Sequence, residues 1–309
     1  MELLLPTAAE LTSVYALESI KGFGPQKFRE LRIEGLFPAD VLEDPQRLPI
    51  TGKRGDIFRS AIAQLVADGS LKSLELRALR QIERAREESA SIALYFNDHY
   101  PPILRDSNNP VPVLYIKGDI SLLHRPRAVA CVGSRDIQDP YASRQSGFAS
   151  NAAEQDWLIV SGFALGADSV AHRAARTAGG ATVCVMPCGL DRPFPPENKE
   201  LWKEFTRYSG AVMLSEFAFG TQAVSLTLRK RNKTIVGLAL GVLIGQSSNK
   251  GGAMNAYRFG KEQHKPIATF TPDGREATSG NEEILQSHGT VFPADHDDAG
   301  EWDRWLRSL

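Results

Sequence analysis

The chain has 309 residues, 42% hydrophobic and 24% charged, which indicates a globular protein large enough for about two domains and excludes a disordered or fibrous chain. Its 36 Lys and Arg nearly balance 37 Asp and Glu. The net charge of −1 excludes an overall basic field that would draw the protein onto any polyanion.

Cysteine usage and the amino terminus both predict a cytoplasmic protein. Cys131, Cys184 and Cys188 lie in apolar runs without zinc or CxxC spacing, so buried free thiols and no metal site are expected. The amino terminus has no basic segment typical of a signal peptide. No apolar run approaches the roughly 18–20 residues that a membrane span needs, so no membrane association is expected.

Residues 1–92 are predicted to form a small helical domain. Amphipathic patterns predict helices over Thr7–Leu17, Gln26–Arg32, Asp56–Ala67 and Ser73–Ser91. The first two are joined by Gly22-Phe-Gly24-Pro, the pattern of a helix-hairpin-helix, in which amides at a helix start and Lys27 contact a DNA phosphate. A weaker second copy follows at 48–55. The alternative is that these turns only join helices of a bundle or a dimerisation module.

Residues 93–293 are predicted to form an α/β domain with a Rossmann-like, mostly parallel sheet. Short β-branched runs alternate with helical stretches, the pattern of βαβ units. The predicted strands are Ala128–Val132, Leu158–Ser161, Thr182–Met186, Val212–Leu214, Val242–Ile244, Ile267–Phe270 and Thr290–Phe292. The proline-rich segment Asn97–Pro112 is expected to be an extended connector.

Residues 294–309 form an acidic, amphipathic carboxyl-terminal tail. Its acidic residues accompany Trp302 and Trp305. Such a segment is expected to form a short helix that docks on the sheet domain, or alternatively on a partner.

Small residues follow two of the predicted strands and indicate phosphate binding. Gly133-Ser134-Arg135 comes after the first strand, where backbone amides and a guanidinium can face an anion. Ser161 and Gly162 end the next strand and open a turn beside it. Neither GxGxxG nor GxxxxGK[ST] is present, which argues against a dinucleotide fingerprint and a P-loop. Asp168 and His172 share a helix face, and a helix cap is favoured there over acid–base chemistry.

The strongest local charge is cationic. Residues 201–265 contain ten Lys and Arg against three Asp and Glu, and four of the cations fall in five residues. We expect this segment to face a polyanion rather than only solvent. It contributes Arg229, Arg231, Asn232 and Lys233, followed by a second glycine-rich turn at Lys250, Gly251 and Gly252. Both glycine turns are expected at the crevice where the strand order reverses.

In this order the segments resemble the DNA-processing protein A family, also called DprA or Smf. The resemblance covers roughly residues 10–270 and is carried by the hairpin, Tyr100-Pro101, Pro112-Val-Leu-Tyr115-Ile-Lys117-Gly118, Val132-Gly-Ser-Arg135, Ser161-Gly162 to His172, Gly189-Leu-Asp191 to Asn198, Ser215-Glu216, Arg231-Asn232 to Leu238, and Gly252 to Ile267.

The resemblance implies a non-catalytic, usually dimeric protein without a cofactor. It implies binding of single-stranded DNA on the Rossmann-like domain and its transfer to the RecA recombinase in natural transformation or DNA recombination. The implied phosphate pocket consists of Gly133, Ser134, Arg135, Ser161, Gly162, Arg231 and Asn232.

The sequence departs from the family pattern at several positions. Leu228 replaces a Phe on which a base could stack, and Lys233 replaces the second Arg of Arg-Asn-Arg. Gln246 replaces a Glu, Gly251-Gly252-Ala253 replaces Ser-Gly-Ser, and the winged-helix domain of longer members is missing.

Two alternative functions follow. The first is a sensor of a small nucleotide-derived ligand. The loss of the aromatic residue, together with the retention of both glycine turns, is what such a change of ligand would leave. The second is a phosphoribohydrolase similar to the cytokinin-activating enzymes. Arg258 stands where that chemistry needs an acid, so the second is disfavoured.

Overall fold

A computed structural model describes residues 3–293 and 299–309. The α-helices of these ranges are α1 (Ala8–Ser19), α2 (Pro25–Ile33), α3 (Pro38–Glu43), α4 (Gly52–Ala67), α5 (Ser70–Glu87), α6 (Pro102–Arg105), α7 (Tyr141–Glu154), α8 (Ala167–Thr177), α9 (Lys199–Phe205), α10 (Ser225–Gly237), α11 (Met254–Glu262), α12 (Ser279–Gln286) and α13 (Ala299–Ser308). Of the described helices, none combines the length and apolar character needed to cross a membrane.

The strands of the same ranges form one nine-stranded sheet. They are β1 (Ser91–Leu94), β2 (Val113–Gly118), β3 (Ala128–Val132), β4 (Leu158–Ser161), β5 (Thr182–Met186), β6 (Ala211–Ser215), β7 (Gly241–Ile244), β8 (Ile267–Phe270) and β9 (Thr290–Phe292).

The sheet has the order β1-β2-β6-β5-β4-β3-β7-β8-β9. From β6 to β9 all neighbours are parallel, whereas β2 is antiparallel to both β1 and β6. The chain builds outward from β3 in one direction through β6 and then returns to place β7 on the other side of β3. The carboxyl ends of β3 and β7 therefore border a topological switch point, where open α/β sheets bind ligands. The predicted fold class is confirmed.

The central strands are buried on both faces because helices cover the sheet on each side. On one face, Phe148 of α7, Phe292 of β9 and Trp305 of α13 belong to one hydrophobic cluster. On the other face, Ile235 of α10 and Tyr257 of α11 belong to a second cluster. Two-sided coverage explains why β3 to β6 read as continuous apolar runs rather than as alternating patterns.

The amino-terminal helices share a core with the sheet. Helix α1 begins with a capping box in which Thr7 and Glu10 bond each other's backbone amides. Its Tyr15 hydroxyl hydrogen-bonds the hydroxyl of Tyr115 on β2 at 2.6 Å, and both side chains are buried. The helical region therefore packs directly on the antiparallel edge of the sheet.

Two strands were not expected from the sequence. Strand β1 begins at Ser91, within the segment predicted to be helical, and β2 covers Val113–Gly118. They pair with each other, and β2 pairs with β6, so pairing across the chain fixes their extended form. The expectation of an extended connector over Asn97–Pro112 is also wrong in part, because Pro102–Arg105 forms the short helix α6.

The carboxyl-terminal helix α13 docks on α7. Trp302 and Trp305 are buried, and Asn151 and Gln155 of α7 donate hydrogen bonds to the carboxylate of Asp303. Glu301 lies in the first turn of α13, and the acidic residues at 295, 297 and 298 lie outside the described residues.

Candidate nucleic-acid interface

A cavity of about 260 Å³ lies at the switch point, beyond the carboxyl ends of β3 and β7. The loop after β3, helix α10 and the turn before α11 form its walls. Eight residues singled out from the sequence line it, namely Gly133, Ser134, Arg135, Arg229, Arg231, Asn232, Gly251 and Gly252.

Helix α10 contributes a buried cation, Arg231, to the wall of the cavity. The residue is only 5% exposed, and its ion pair with Asp168, from Nη1 to Oδ2, is long at 3.5 Å. Within the described residues its Nε has no hydrogen-bond partner. Burial lowers the pKa of the guanidinium, and the nearby Asp168 opposes this shift only in part. A buried cation with incomplete compensation is costly, and an anion in the cavity would offset that cost.

Gly162 permits Arg231 to reach this position. A Cβ at Gly162 would lie 0.9 Å from Nη1, so the guanidinium occupies the volume of the missing side chain. Neighbouring Ser161 does not face the cavity, because its buried hydroxyl donates to the carbonyl of Cys131 at 2.6 Å. Of this pair, Gly162 shapes the site from below and Ser161 links β4 to β3.

The exposed cations at the cavity make the site positive. Arg135 and Arg229 are exposed, and neither forms an ion pair with any residue of the described ranges. Three arginines against the single carboxylate of Asp168 leave an excess of about two positive charges among the lining residues.

The glycine turns supply fewer free amides than the sequence suggests. The Ser134 amide donates to the carbonyl of Gln246 at 2.7 Å, and the Gly251 amide donates to that of Ser248 at 2.9 Å. In residues 3–293 and 299–309, the amides of Gly252 and Ala253 at the start of α11 find no acceptor. Phosphate contacts through backbone amides are therefore available at the second turn, where the positive end of the α11 dipole adds to them.

Two of the predicted cations, Lys250 and Lys233, do not line this cavity. Lys250 is exposed beside Gly251 but does not line the cavity. Lys233 faces the other side of α10, with its Nζ 5.0 Å from the centre of the Phe259 ring. It lines a separate cavity of about 420 Å³, together with Gly24.

The predicted hairpin is a tight turn between α1 and α2, away from the switch point. Gly22 has a φ of +86°, a conformation that favours glycine, and Gly24 caps α2 without a side-chain bond. Lys27 forms an ion pair with Glu30, so its charge is partly neutralised. Gly24 lines the second cavity together with its neighbours Phe23 and Pro25, whereas Gly22 and Lys27 do not.

Asp168 has a role that the sequence did not reveal. It was expected to cap α8, yet Gly166 is the residue at that position, and Asp168 instead accepts from the amide of Ala164 and from Arg231. His172 does not interact with it, because its Nδ1 lies 2.7 Å from Oγ1 of Thr182 in the core. Both charged residues are visible in the sequence, but they are 63 positions apart, and a local pattern does not indicate that Asp168 pairs with Arg231.

Helix α10 also contributes Leu228 to the wall of the cavity, and α11 contributes Asn255. Leu228 was recognised as a departure from the family pattern, whereas Asn255 was not singled out. In the described part of the chain, no aromatic side chain lines this cavity.

Sequence comparison places the chain among DNA-processing proteins. The family model described as DNA recombination-mediator protein A matches residues 91–300. Protein Smf of Borreliella burgdorferi is 30% identical over 219 residues, 70% of this chain and 67% of the relative. DNA processing protein DprA of Bacillus subtilis is 29% identical over 211 residues, 68% of this chain and 70% of the relative. With Protein Smf of Synechocystis the 29% identical segment spans 52% of the relative's length.

Solved structures share the fold. DNA processing protein A from Streptococcus pneumoniae superposes with a TM-score of 0.70 at 23% identity, over 94% of this chain and 95% of that one. DNA processing protein A from Helicobacter pylori, whose structure concerns its single-stranded DNA binding mode, gives a TM-score of 0.61 at 24% identity. That alignment covers 71% of this chain and 95% of the other.

Proposed function

The chain belongs to the DNA recombination-mediator protein A family, and we propose that it binds single-stranded DNA by its phosphates in the cavity at the switch point. The observation that carries the proposal is the state of Arg231. Its guanidinium is buried, its ion pair with Asp168 is long, and one of its nitrogens has no partner among the described residues. A phosphate oxygen supplies the negative charge and the acceptors that this group lacks.

The exposed cations support a polymer rather than a single anion. Arg135 and Arg229 line the same cavity as Arg231 but project into solvent without ion pairs in the described ranges. With one phosphate held by Arg231, two further cations at the same cavity are available for the neighbouring phosphates of a strand. Such contacts bind all sequences similarly and depend strongly on salt.

The proposal assigns binding without catalysis and without a cofactor. The cavity is shaped by Gly133, Ser134, Gly162, Asn232, Gly251 and Gly252, with Ser161 beneath it. Lys250 adds positive charge beside Gly251, whereas Lys233 adds charge on the other side of α10, at the second cavity. The one lining carboxylate, Asp168, is engaged with Arg231 and the Ala164 amide. No lining group of the described chain is thus left to act as a general base.

The remaining parts of the proposal rest on family membership. We place residues 1–92 in a helical domain of the helix-hairpin-helix type and residues 93–293 in the DNA-binding domain. We further propose that the protein is a homodimer and that it hands single strands to a RecA-type recombinase; the family description, a recombination mediator, supports the second of these. Delivery is tested by whether the protein speeds assembly of recombinase filaments on single-stranded DNA, and dimerisation by sedimentation velocity.

A second candidate is a sensor of a small phosphorylated nucleotide derivative. Leu228 stands at the wall, and none of the described lining residues offers an aromatic face for stacking a base. Stacking contributes about 1–3 kcal/mol per base in proteins that bind single strands. A ligand held by its phosphate alone would not need that ring.

The deciding experiment is a titration of labelled oligo-dT at two salt concentrations. We expect log affinity to fall with log salt by about 0.7 per neutralised phosphate, and Arg231→Gln to weaken binding at least tenfold with a shallower slope. Arg176→Gln is the control, because Arg176 is paired with Glu204 away from the cavity. Absence of binding below about 10 μM, with a flat salt response, overturns the proposal; tight binding of a mononucleotide instead would favour the sensor.

A further inference from the structure

Helix α11 leads from the switch-point cavity towards the opposite edge of the sheet. Its first turn contributes Asn255 to the cavity, and the helix ends at Glu262, just before β8. Cationic residues follow along the helix at Arg258 and Lys261, and Lys265 comes directly after it. The helix therefore connects the proposed phosphate site with a second group of positive charges.

These cations form one stripe. At 100° per residue, Arg258 and Lys261 lie within about 120° of Asn255 around the helix axis. Arg258 and Lys261 are exposed, and Lys265 is half-buried. None of the three forms an ion pair with another residue in the described ranges. The exposed Glu262 lies on the same side of the helix, about 40° from Arg258, so the stripe carries three cations and one acid.

The stripe ends in a small cavity. Lys261, Lys265, Ser287 and His288 line a cleft of about 170 Å³ between the carboxyl ends of α11 and α12. The Nζ of Lys261 lies 5.5 Å from the centre of the Tyr257 ring, which holds its stem against the protein surface. Burial lowers the pKa of Lys265, a sign that no anion compensates its partly dehydrated ammonium group.

We propose that α11 carries the outgoing segment of the bound single strand, with successive phosphates on Arg258 and Lys261 and the last one in the cleft at Lys265. The inference rests on the proposed function, because the strand enters this path from the cavity at Arg231. The cleft supplies two ammonium groups and the Ser287 hydroxyl, a donor set suited to a phosphate.

The length of the path sets how much nucleic acid it holds. From residue 255 to the end of α11 at residue 262 the rise is about 10 Å at 1.5 Å per residue. A strand with at least about 3.4 Å between successive nucleotides places no more than about three of them along this distance. Oligonucleotides that fill only the switch-point cavity therefore do not reach the cleft.

The test compares two lengths of labelled oligo-dT. One has about 2 nucleotides, too few to span α11, and the other has about 16, the upper end of the site sizes known for single strands. The variant is the combination Arg258→Gln, Lys261→Gln and Lys265→Gln. Its matched control is Lys72→Gln, Arg80→Gln and Arg86→Gln on α5, three exposed cations that also lack ion pairs among the described residues. Circular dichroism verifies that each variant is folded.

We expect the α11 variant to bind the long oligonucleotide about tenfold more weakly, with a salt slope reduced by about 2, and to bind the short one like the unmodified protein. The α5 variant should match the unmodified protein at both lengths. Unchanged binding of the long oligonucleotide by the α11 variant, or equal weakening at both lengths, overturns the inference while the proposed function stands. If the unmodified protein binds neither oligonucleotide, that result overturns the proposed function itself, and with it the inference about α11.

Discussion

The guanidinium of Arg231 fills the volume that a side chain at Gly162 would occupy: a Cβ at residue 162 would lie 0.9 Å from Nη1 and 2.1 Å from Cζ. The glycine at the end of β4 and the arginine on α10 therefore depend on each other. A larger residue at 162 cannot coexist with the observed position of the cation.

Gly162→Ala is expected to displace Arg231. The added methyl group forces the buried guanidinium out of place, which should destabilise the fold by about 1–3 kcal/mol, as overpacking does, and weaken oligo-dT binding. Urea unfolding and fluorescence anisotropy measure the two effects.

The same substitution in an Arg231→Ala background provides the control. With the guanidinium removed, the methyl group at 162 has room, and its cost should fall well below that in the unmodified chain. An equal cost in both backgrounds would contradict the steric dependence.

Asp168→Asn is expected to lower stability and to leave DNA binding in place. Removing the carboxylate leaves a buried cation uncompensated, a change that typically costs about 3–5 kcal/mol. Because a bound strand supplies the missing negative charge, saturating oligo-dT should raise the melting temperature of this variant more than that of the unmodified protein. Equal shifts in a thermal denaturation assay would refute an electrostatic role of Asp168 towards Arg231.

Leu228→Phe is expected to tighten binding of single-stranded DNA. Leu228 lines the cavity, so a ring at that position gives a base a surface on which to stack, worth about 1–3 kcal/mol. Leu226→Phe is the matched control, because Leu226 is 63% exposed and does not line the cavity. Anisotropy titrations with oligo-dT should separate the two variants; identical affinities would place the bases elsewhere.

The stability of the protein should fall as the pH drops below about 6.5, in part because of His172. Burial, with a smaller contribution from Arg231, lowers the pKa of this imidazole to about 3. The imidazole packs against the rings of Phe163 and Phe205, and its Nε2 has no hydrogen-bond partner within the described residues. Between about pH 6.5 and 3 the unfolded chain binds a proton that the folded chain does not, so stability is lost at up to about 1.4 kcal/mol per pH unit.

His172→Asn isolates this contribution. The variant keeps a donor for Thr182 but cannot titrate, so its free energy of unfolding should depend less on pH than that of the unmodified protein between about pH 6 and 4.5. Urea unfolding over this range is the measurement. Parallel pH dependences would assign the proton uptake to other groups.

The parallel part of the fold could be predicted because each strand carries its own signal. Strands β3, β4 and β5 have the predicted bounds, since each is an apolar run closed by Gly, Ser or another turn residue. Strands β1 and β2 were missed, although Val113–Gly118 is rich in β-branched and aromatic residues between Pro112 and Gly118. Their pairing with each other and with β6 is a property of distant segments, which a local pattern does not contain.

Part of the candidate site could also be predicted from the sequence, and part of it could not. The turns at Gly133 and Gly251 could be placed at one sheet edge, because parallel strands end together. The burial of Arg231 and its fit above Gly162 could not be predicted from the sequence, because both depend on how α10 packs on the sheet. The amide of Ser134 was expected to be free, and only the contact with Gln246 shows that it is already bonded.

The amino-terminal helices contact the segment between β6 and α10, and through it they support α10, the helix that carries Arg231. Residues 216–224 must carry the chain past β5 and β4, about 14 Å in strand spacings, before α10 starts at the cavity. Along the way Gln81 of α5 accepts from the amide of Phe219, while Arg84 of α5 holds Asp191, which accepts from the amide of Gly220. Helix α5 thus fixes the position of this segment through hydrogen bonds and an ion pair. Loss of these contacts would change the orientation of α10 at the cavity without altering any residue that contacts the ligand.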